Sequence, residues 1–219
     1  MNQKEIIDIF DNYDAIWVHN GDPAMPHAEL TTGLCSNGYV NCREVLQHSL
    51  VCKMLARKLY YKMFNQNVLS RVNMVIGSSY STITFSYELA ARFGVKHGFT
   101  EKDPSDPKGK KMIWKGGKIG SKEKVLQVED LITTSHTFFE VRRAMQEENS
   151  EPINFLNVVG CIVHRPPNLS VNYDGLKIIS LIEMEIWAVK PEDCSLCKAG
   201  SRRLRPRGNW KELKTGKNN

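Results

Sequence analysis

No stretch of this 219-residue chain supplies the eighteen or so consecutive apolar residues that a membrane-spanning helix needs. The opening MNQKEIIDIFDNYD is acidic and amphipathic, and lacks the basic-then-apolar order of a secretory leader. Six cysteines, at 35, 42, 52, 161, 194 and 197, are too sparse for a disulfide scaffold in a chain this long. Internal repeats are absent, and so is any low-complexity tract beyond the basic end. What is present is ordinary globular composition: 41% hydrophobic, 25% charged and 9% aromatic, enough for one compact core. These features predict a soluble chain kept reduced in the cytoplasm, with no membrane contact.

The charge is unevenly distributed. Lys and Arg total 30 against 24 Asp and Glu, a net charge of +6. Residues 198–219 hold eight of the basic residues and one acid, Glu212, which leaves 22 basic against 23 acidic residues elsewhere. The body is therefore nearly neutral. The predicted organisation is one domain over 1–200, with a flexible lysine-rich loop at about 102–118, and a basic tail over 201–219. Such a tail reads as a solvated extension or a cap on its own domain; nucleic-acid contact is the less favoured reading.

Hydrophobic periodicity supplies the elements. Ile6, Ile9, Phe10 and Tyr13 share a helical face; residues 20–42 read as loop with a short strand near Tyr39–Asn41. A helix of about twenty residues follows, with Val45, Leu46, Leu50, Met54, Leu55 and Leu59 expected on its buried face. Apolar runs at 72–77, 94–102, 125–132, 153–164 and 176–189 read as strands, with helices through Phe85, Leu89 and Phe93 and over 136–148. This alternation predicts an α/β fold with a mainly parallel central sheet flanked by helices. In such sheets ligands bind at the carboxyl ends of the strands, which here are Gly77–Ser81 and Glu129–Thr137.

The sharpest motif is VLQVEDLITTSHT, residues 125–137. An apolar strand ends in paired carboxylates, Glu129 and Asp130, and a hydroxyl-rich turn enters a helix. Backbone N–H groups at that helix start, with the hydroxyls of Thr133, Thr134 and Thr137, form a cradle for a phosphate. Two acids just ahead of such a cradle suit the hydroxyls of a phosphorylated sugar. The segment is neither a Walker loop nor a GxGxxG fingerprint. The plainer alternative is an acidic strand end followed by a Thr- or Ser-capped helix.

This motif resembles the phosphoribosyl-pyrophosphate (PRPP) motif of type I phosphoribosyltransferases, and within that group the chain is most similar to orotate phosphoribosyltransferases. HAELTTGLCSNGYVNC (27–42) resembles the family's N-terminal segment, and VIGSSYSTITFSYELAARFGVKHGFTEK (75–102) its pyrophosphate loop, helix and following strand. PEDCSLCKAGSRRLRPRG (191–208) resembles the Cys-x-x-Cys tail of one bacterial branch. The resemblance implies a type I phosphoribosyltransferase fold with a small hood built from the two ends of the chain. It also implies a homodimer that transfers phosphoribose from PRPP to a nucleobase, orotate or a relative, with Mg²⁺ as cofactor and pyrophosphate as product.

It further implies roles for individual residues. Glu129 and Asp130 would hold the ribose diol, directly or through the water shell of Mg²⁺, and residues Thr133, Thr134, Ser135, His136 and Thr137 the 5′-phosphate. Ser78 and Ser79 would face pyrophosphate together with Lys102, while Lys110 and Lys111, neighbours of Lys108 in an insert of eight lysines and three acids, are candidates by charge alone. Tyr39 and Thr31 would lie near the base. Relatives place an arginine for the orotate carboxylate where this chain has Phe139; Arg142 is the nearest substitute.

Three departures from the family pattern concern glycine. Relatives read Gly-Pro-Ala-x-Gly-Gly where this chain has Gly77-Ser78-Ser79-Tyr80-Ser81-Thr82, and they carry a glycine near Ser135 or His136. Glycine gives close backbone approach and positive φ without strain. The alternative reading is accordingly a weakened relative that binds PRPP or a nucleotide as a regulator or effector. Cys194-Ser-Leu-Cys197 has the spacing of a zinc knuckle, but a structural zinc takes four ligands and one knuckle gives two. Cys35 and Cys42, or a partner chain, would have to fold nearby; a packed turn with reduced thiols is the default expectation.

Overall fold

The computed structural model describes residues 1–217 apart from 67–71, 79, 135, 167–170 and 172. Helix α1 (Gln3–Asn12) starts with a capping box: Asn2 accepts from the Glu5 amide at 3.0 Å and the Glu5 carboxylate accepts from the Asn2 amide at 2.6 Å. Four short strands follow, β1 (Ile16–Val18), β2 (His27–Glu29), β3 (Cys35–Ser36) and β4 (Gly38–Val40), then α2 (Cys42–Leu46) and α3 (Ser49–Asn65). The central segment runs β5 (Met74–Gly77), α4 (Ser81–Phe93), β6 (Lys96–Phe99), the hairpin β7 (Glu101–Lys102) and β8 (Met112–Ile113), β9 (Lys124–Ile132), α5 (His136–Glu147), β10 (Asn154–His164) and β11 (Lys177–Glu183). Closing the chain are β12 (Ala188–Val189), α6 (Ser195–Lys198), β13 (Arg203–Leu204) and α7 (Trp210–Thr215).

Five of these strands form a parallel sheet in the order β11-β10-β9-β5-β6. Its middle is buried on both faces, which is why β5 and β9 read as near-continuous apolar runs. One face packs on α1, α3 and α4 through Phe10, Leu55, Leu59, Phe85 and Leu89. The other packs on α5 and the lysine-rich insert through Met112, Trp114, Val141 and Met145. β5 continues outward to β6 on one side while β9 lies on the other, so the direction of winding reverses between β5 and β9. That switch point is where such sheets bind ligands.

A second, four-stranded sheet, β12-β3-β2-β13, joins the two ends of the chain into a hood. Residues 201–217, read from sequence as a tail, are built into it. β13 pairs with β2, Leu213 is fully buried, and the Trp17 indole donates to the Leu213 carbonyl at 3.1 Å. Arg202 pairs with Glu212 at 2.8 Å, Arg205 with Glu29 at 3.3 Å, and Lys214 with Asp11 and Asp14 at 2.9 and 2.8 Å. The basic residues of this segment thus cap acids of its own domain.

Two elements differ from the sequence expectation. The twenty-residue helix is two helices, because the backbone at His48 turns extended (φ −87°, ψ 102°). The break resets the helical phase, so Leu50 is 81% exposed and the buried face of α3 is Cys52, Leu55, Ala56, Leu59 and Met63. The run 176–189 also divides: β11 ends at Glu183, Ile186 is buried against Gly38, and β12 joins the hood.

Candidate active site

The register of the sheet builds the site. β5 and β9 pair Gly77 with Val128, so the next residues on each strand, Ser78 and Glu129, emerge side by side. The Ser78 hydroxyl lies 2.5 Å from Glu129 Oε2 and 3.2 Å from the Thr82 hydroxyl. Thr82 in turn donates to Asp130 Oδ1 at 3.2 Å and accepts from the Asp130 amide at 3.3 Å, while Ser81 donates to Asp130 Oδ2. Gly77 permits this approach: a Cβ there would stand 2.6 Å from Ser86 Oγ and 3.0 Å from Thr82 Cγ2. Ser81 and Thr82, where the resemblance leads one to expect glycine, are the residues that tether Asp130 to the start of α4.

Glu129 is buried, 2% exposed, and burial pushes its carboxyl up to about 8; the Asp130 charge acts in the same direction, and the Ser78 hydrogen bond opposes it. Below that value the carboxylic acid can donate to Ser78. A single directed chain then runs Glu129 to Ser78 to Thr82 to the Asp130 carboxylate, each hydroxyl donating once. Gln127 holds the far oxygen of Glu129 at 3.2 Å.

Thr133 and Thr134 lie in the turn after β9, and His136 and Thr137 open the twelve-residue α5; all but Thr133 are exposed there. Ser79 and Ser135 fall outside the described residues. The insert hairpin leans over this turn: a cavity of about 530 Å³ is lined by Asp103, Ser105, Lys110, Lys111, His136 and Arg143 among others. Lys111 is paired with Asp103 at 3.1 Å, and Asp106 accepts from the amides of Lys108, Lys110 and Lys111. Lys102, on β7, acts on Glu129 electrostatically and favours its ionised form.

A separate cavity of about 620 Å³ brings Thr31 and Tyr39 together with Glu29, Arg165, Arg205 and Arg207. It abuts the sheet end, since the Arg165 amide donates to Ile132 O at 2.9 Å and Cys42 donates to the Asp130 carbonyl at 3.5 Å. Arg165 Nε is buried there without a hydrogen-bond partner among the described residues. Phe139 and Arg142, the other two candidates for the base, do not line this cavity. Phe139 stacks on Phe138 at 4.1 Å within an apolar cluster. Arg142 donates to Gln127 Oε1 and Leu156 O, both at 3.1 Å, and lies over the Phe155 ring. Burial lowers its guanidinium to about 10, so it remains a charged structural brace behind Glu129. Arg165 gave no signal in the sequence, and Arg205 and Arg207 stood there only as part of the basic C-terminal segment; the fold brings strand-end and C-terminal arginines to one cavity.

The cysteines divide as well. Cys42 and Cys161 are buried near Asp130 and burial raises both thiols strongly. Cys35, Cys194 and Cys197 instead meet in the hood, around His27, a histidine the sequence reading had left without a role.

No protein-family model matches the chain. An orotate phosphoribosyltransferase of Desulforamulus reducens is 33% identical to it over 206 residues, covering 94% of this chain and 97% of that protein. The orotate phosphoribosyltransferase of Pelotomaculum thermopropionicum is 32% identical over 90% of the chain and 96% of its own length. Among solved structures, orotate phosphoribosyltransferase from Aeropyrum pernix superposes with a TM-score of 0.59 at 14% identity, over 82% of this chain and 93% of that one, which establishes the fold. With the carboxylate pair at the switch point, the hood and near full-length identity in agreement, the chain belongs to the orotate phosphoribosyltransferase family.

Proposed function

We propose that this protein transfers phosphoribose from PRPP to orotate and releases pyrophosphate. The observation that carries the reading is the placing of Glu129 and Asp130 at the switch point, between an open phosphate turn and an arginine-lined cavity. Asp130 binds the ribose diol, with Glu129 behind it. The N–H groups at the start of α5 hold the 5′-phosphate, where the helix dipole favours an anion. Lys102, Lys110 and Lys111 face the pyrophosphate, and closure of the insert over it excludes water from the ribose carbon.

The donor set at the sheet end is entirely oxygen, from Ser78, Ser81, Thr82, Glu129 and Asp130, which suits a hard cation such as Mg²⁺. Glu129 and Asp130 would hold it through its water shell. When bound, the ion would supply positive charge against the negative charge that builds on departing pyrophosphate. Arg165 takes the role of the missing helix arginine: its side chain lines the cavity of Thr31 and Tyr39, its buried Nε has no partner among the described residues, and a carboxylate entering the cavity is the group that its guanidinium would bind. The homodimer would use the exposed stripe Leu50, Met54, Tyr61 and Phe64 on α3, which recurs at helical spacing.

Pyrophosphate release from PRPP, measured with orotate, uracil, hypoxanthine and nicotinate in turn, tests the reading. Turnover with orotate alone is expected. Turnover with uracil and not orotate would remove the carboxylate from the acceptor and Arg165 from its role.

A further inference from the structure

The hood holds a second site with a different chemistry. His27 from β2, Cys35 from β3 and Cys194 and Cys197 flanking the start of α6 converge so that their four ligand atoms all lie within 4.8 Å of one another. Three of the four residues are fully buried. Cys35 Sγ and Cys197 Sγ are 3.5 Å apart, and His27 Nε2 is 3.4 Å from Cys197 Sγ and 3.6 Å from Cys194 Sγ. Four ligands placed tetrahedrally at zinc–sulfur and zinc–nitrogen lengths of about 2.3 and 2.0 Å are separated by about 3.5–3.8 Å, so these three contacts match tetrahedral edges and the remaining ones, within 4.8 Å, need only a small contraction.

The surroundings prepare the ligands. Ser201 donates its hydroxyl proton to the Met25 carbonyl at 2.7 Å, so at 2.8 Å it accepts from His27 Nδ1–H. That bond fixes the tautomer and leaves the Nε2 lone pair aimed at the thiols. The Cys197 amide donates to Cys194 Sγ at 3.4 Å, an N–H group directed at a sulfur across the Cys-x-x-Cys turn. Without an ion, two buried thiols, a half-buried third and an imidazole lone pair would have only each other as partners, which are weak ones.

We propose that His27, Cys35, Cys194 and Cys197 bind one structural Zn²⁺. Three soft sulfur ligands and one imidazole in a closed tetrahedral set select zinc over the hard cations that suit the carboxylates at the sheet end. The set has no open position, so the ion fastens rather than catalyses. It ties the turn before β13 to β2 and β3, at the end of the Arg203–His27 pairing, and so holds the C-terminal segment on the hood.

The test is elemental analysis of the full chain purified in reducing, chelator-free buffer, followed by exchange of the ion for Co²⁺. One zinc per chain is expected, and the cobalt form should show the visible bands of a tetrahedral site with thiolate charge-transfer absorption. Stripping the ion should lower the melting temperature by about 10 °C, restored by Zn²⁺ alone. Cys194→Ser/Cys197→Ser should lose the ion, while Cys52→Ser keeps it. Three results would each overturn the proposal. One is a soluble wild-type chain that neither carries zinc nor shifts on zinc titration. A second is full zinc retained in Cys194→Ser/Cys197→Ser, and the third a Cys35–Cys197 disulfide in freshly isolated protein. Because the Co²⁺ spectrum is read on the wild-type chain, misfolding of a variant leaves the test intact, and no arm depends on transferase activity.

Discussion

At the carboxyl end of the central sheet, Ser78, Ser81, Thr82, Glu129 and Asp130 offer only oxygen atoms to one another and to a ligand. In the hood, His27, Cys35, Cys194 and Cys197 offer three sulfurs and one nitrogen. The first network lies beside open turns and two cavities; its hydroxyls are neutral, exchangeable donors that a substrate can replace. The second is closed over, and its groups satisfy each other poorly until an ion joins them. Hard, replaceable donors suit a site that binds and releases on every turnover, whereas a soft and saturated set suits one that is filled once. One fold carries both because the sheet end and the hood are separate layers, joined through the cavity that Thr31, Tyr39 and Arg165 line.

Substitutions that blur this division should have effects in the following order. Gly77→Ala drives a methyl group into Ser86 and Thr82 and displaces the start of α4 from Asp130. We expect kcat/KM to fall about 100-fold with the zinc content unchanged, since Asp130 loses the donors that orient it. Arg165→Gln should raise KM for orotate by about 10- to 50-fold and leave KM for PRPP unchanged, the loss of one charge-assisted contact. Steady-state kinetics with each substrate varied in turn separates the two.

A smaller effect appears in stability against pH. The folded-state value of Glu129, about 8, lies above its ordinary 4.5, so the folded protein holds a proton that the unfolded chain has released. The contribution is fully present below about 4.5 and is lost as pH rises through 8. The melting temperature should fall across that window by a few degrees more than in Glu129→Gln, whose curve should be flatter; thermal melts between pH 5 and 9, on both proteins, check the sign. Smallest is Ser81→Gly, which removes one of the two hydroxyls that orient Asp130 while Thr82 keeps the other. KM for PRPP should rise about 2- to 5-fold.

Much of the sheet-end layer was legible in sequence. An apolar run that ends in Glu129-Asp130 before a threonine turn has a local cause for each feature: strand, paired charge and helix start. The central strands were legible for the same reason, as parallel strands buried on both faces read as uninterrupted apolar runs. The hood was not. Its strands are two or three residues long, too short for a period to register, and its pairing joins residues near 30 to residues near 200. The knuckle at Cys194 and Cys197 was visible, yet Cys35 and His27 joined it only through the fold, and Cys42, equally available by sequence, went to the sheet end instead. Phe139 is a base candidate by position in a family motif alone; its packing on Phe138 and the surrounding apolar cluster comes only from the fold. Leu50 was misplaced because a phase carried through a helix break assigns the wrong face.

The most direct test compares the wild-type chain with Asp130→Asn in an assay of pyrophosphate release from PRPP, Mg²⁺ and orotate, with zinc content and melting temperature measured on both proteins. The account predicts turnover in the wild type and a loss of at least about 1000-fold in the variant, with the metal retained and the melting temperature within about 3 °C. Equal turnover in the two proteins would contradict it.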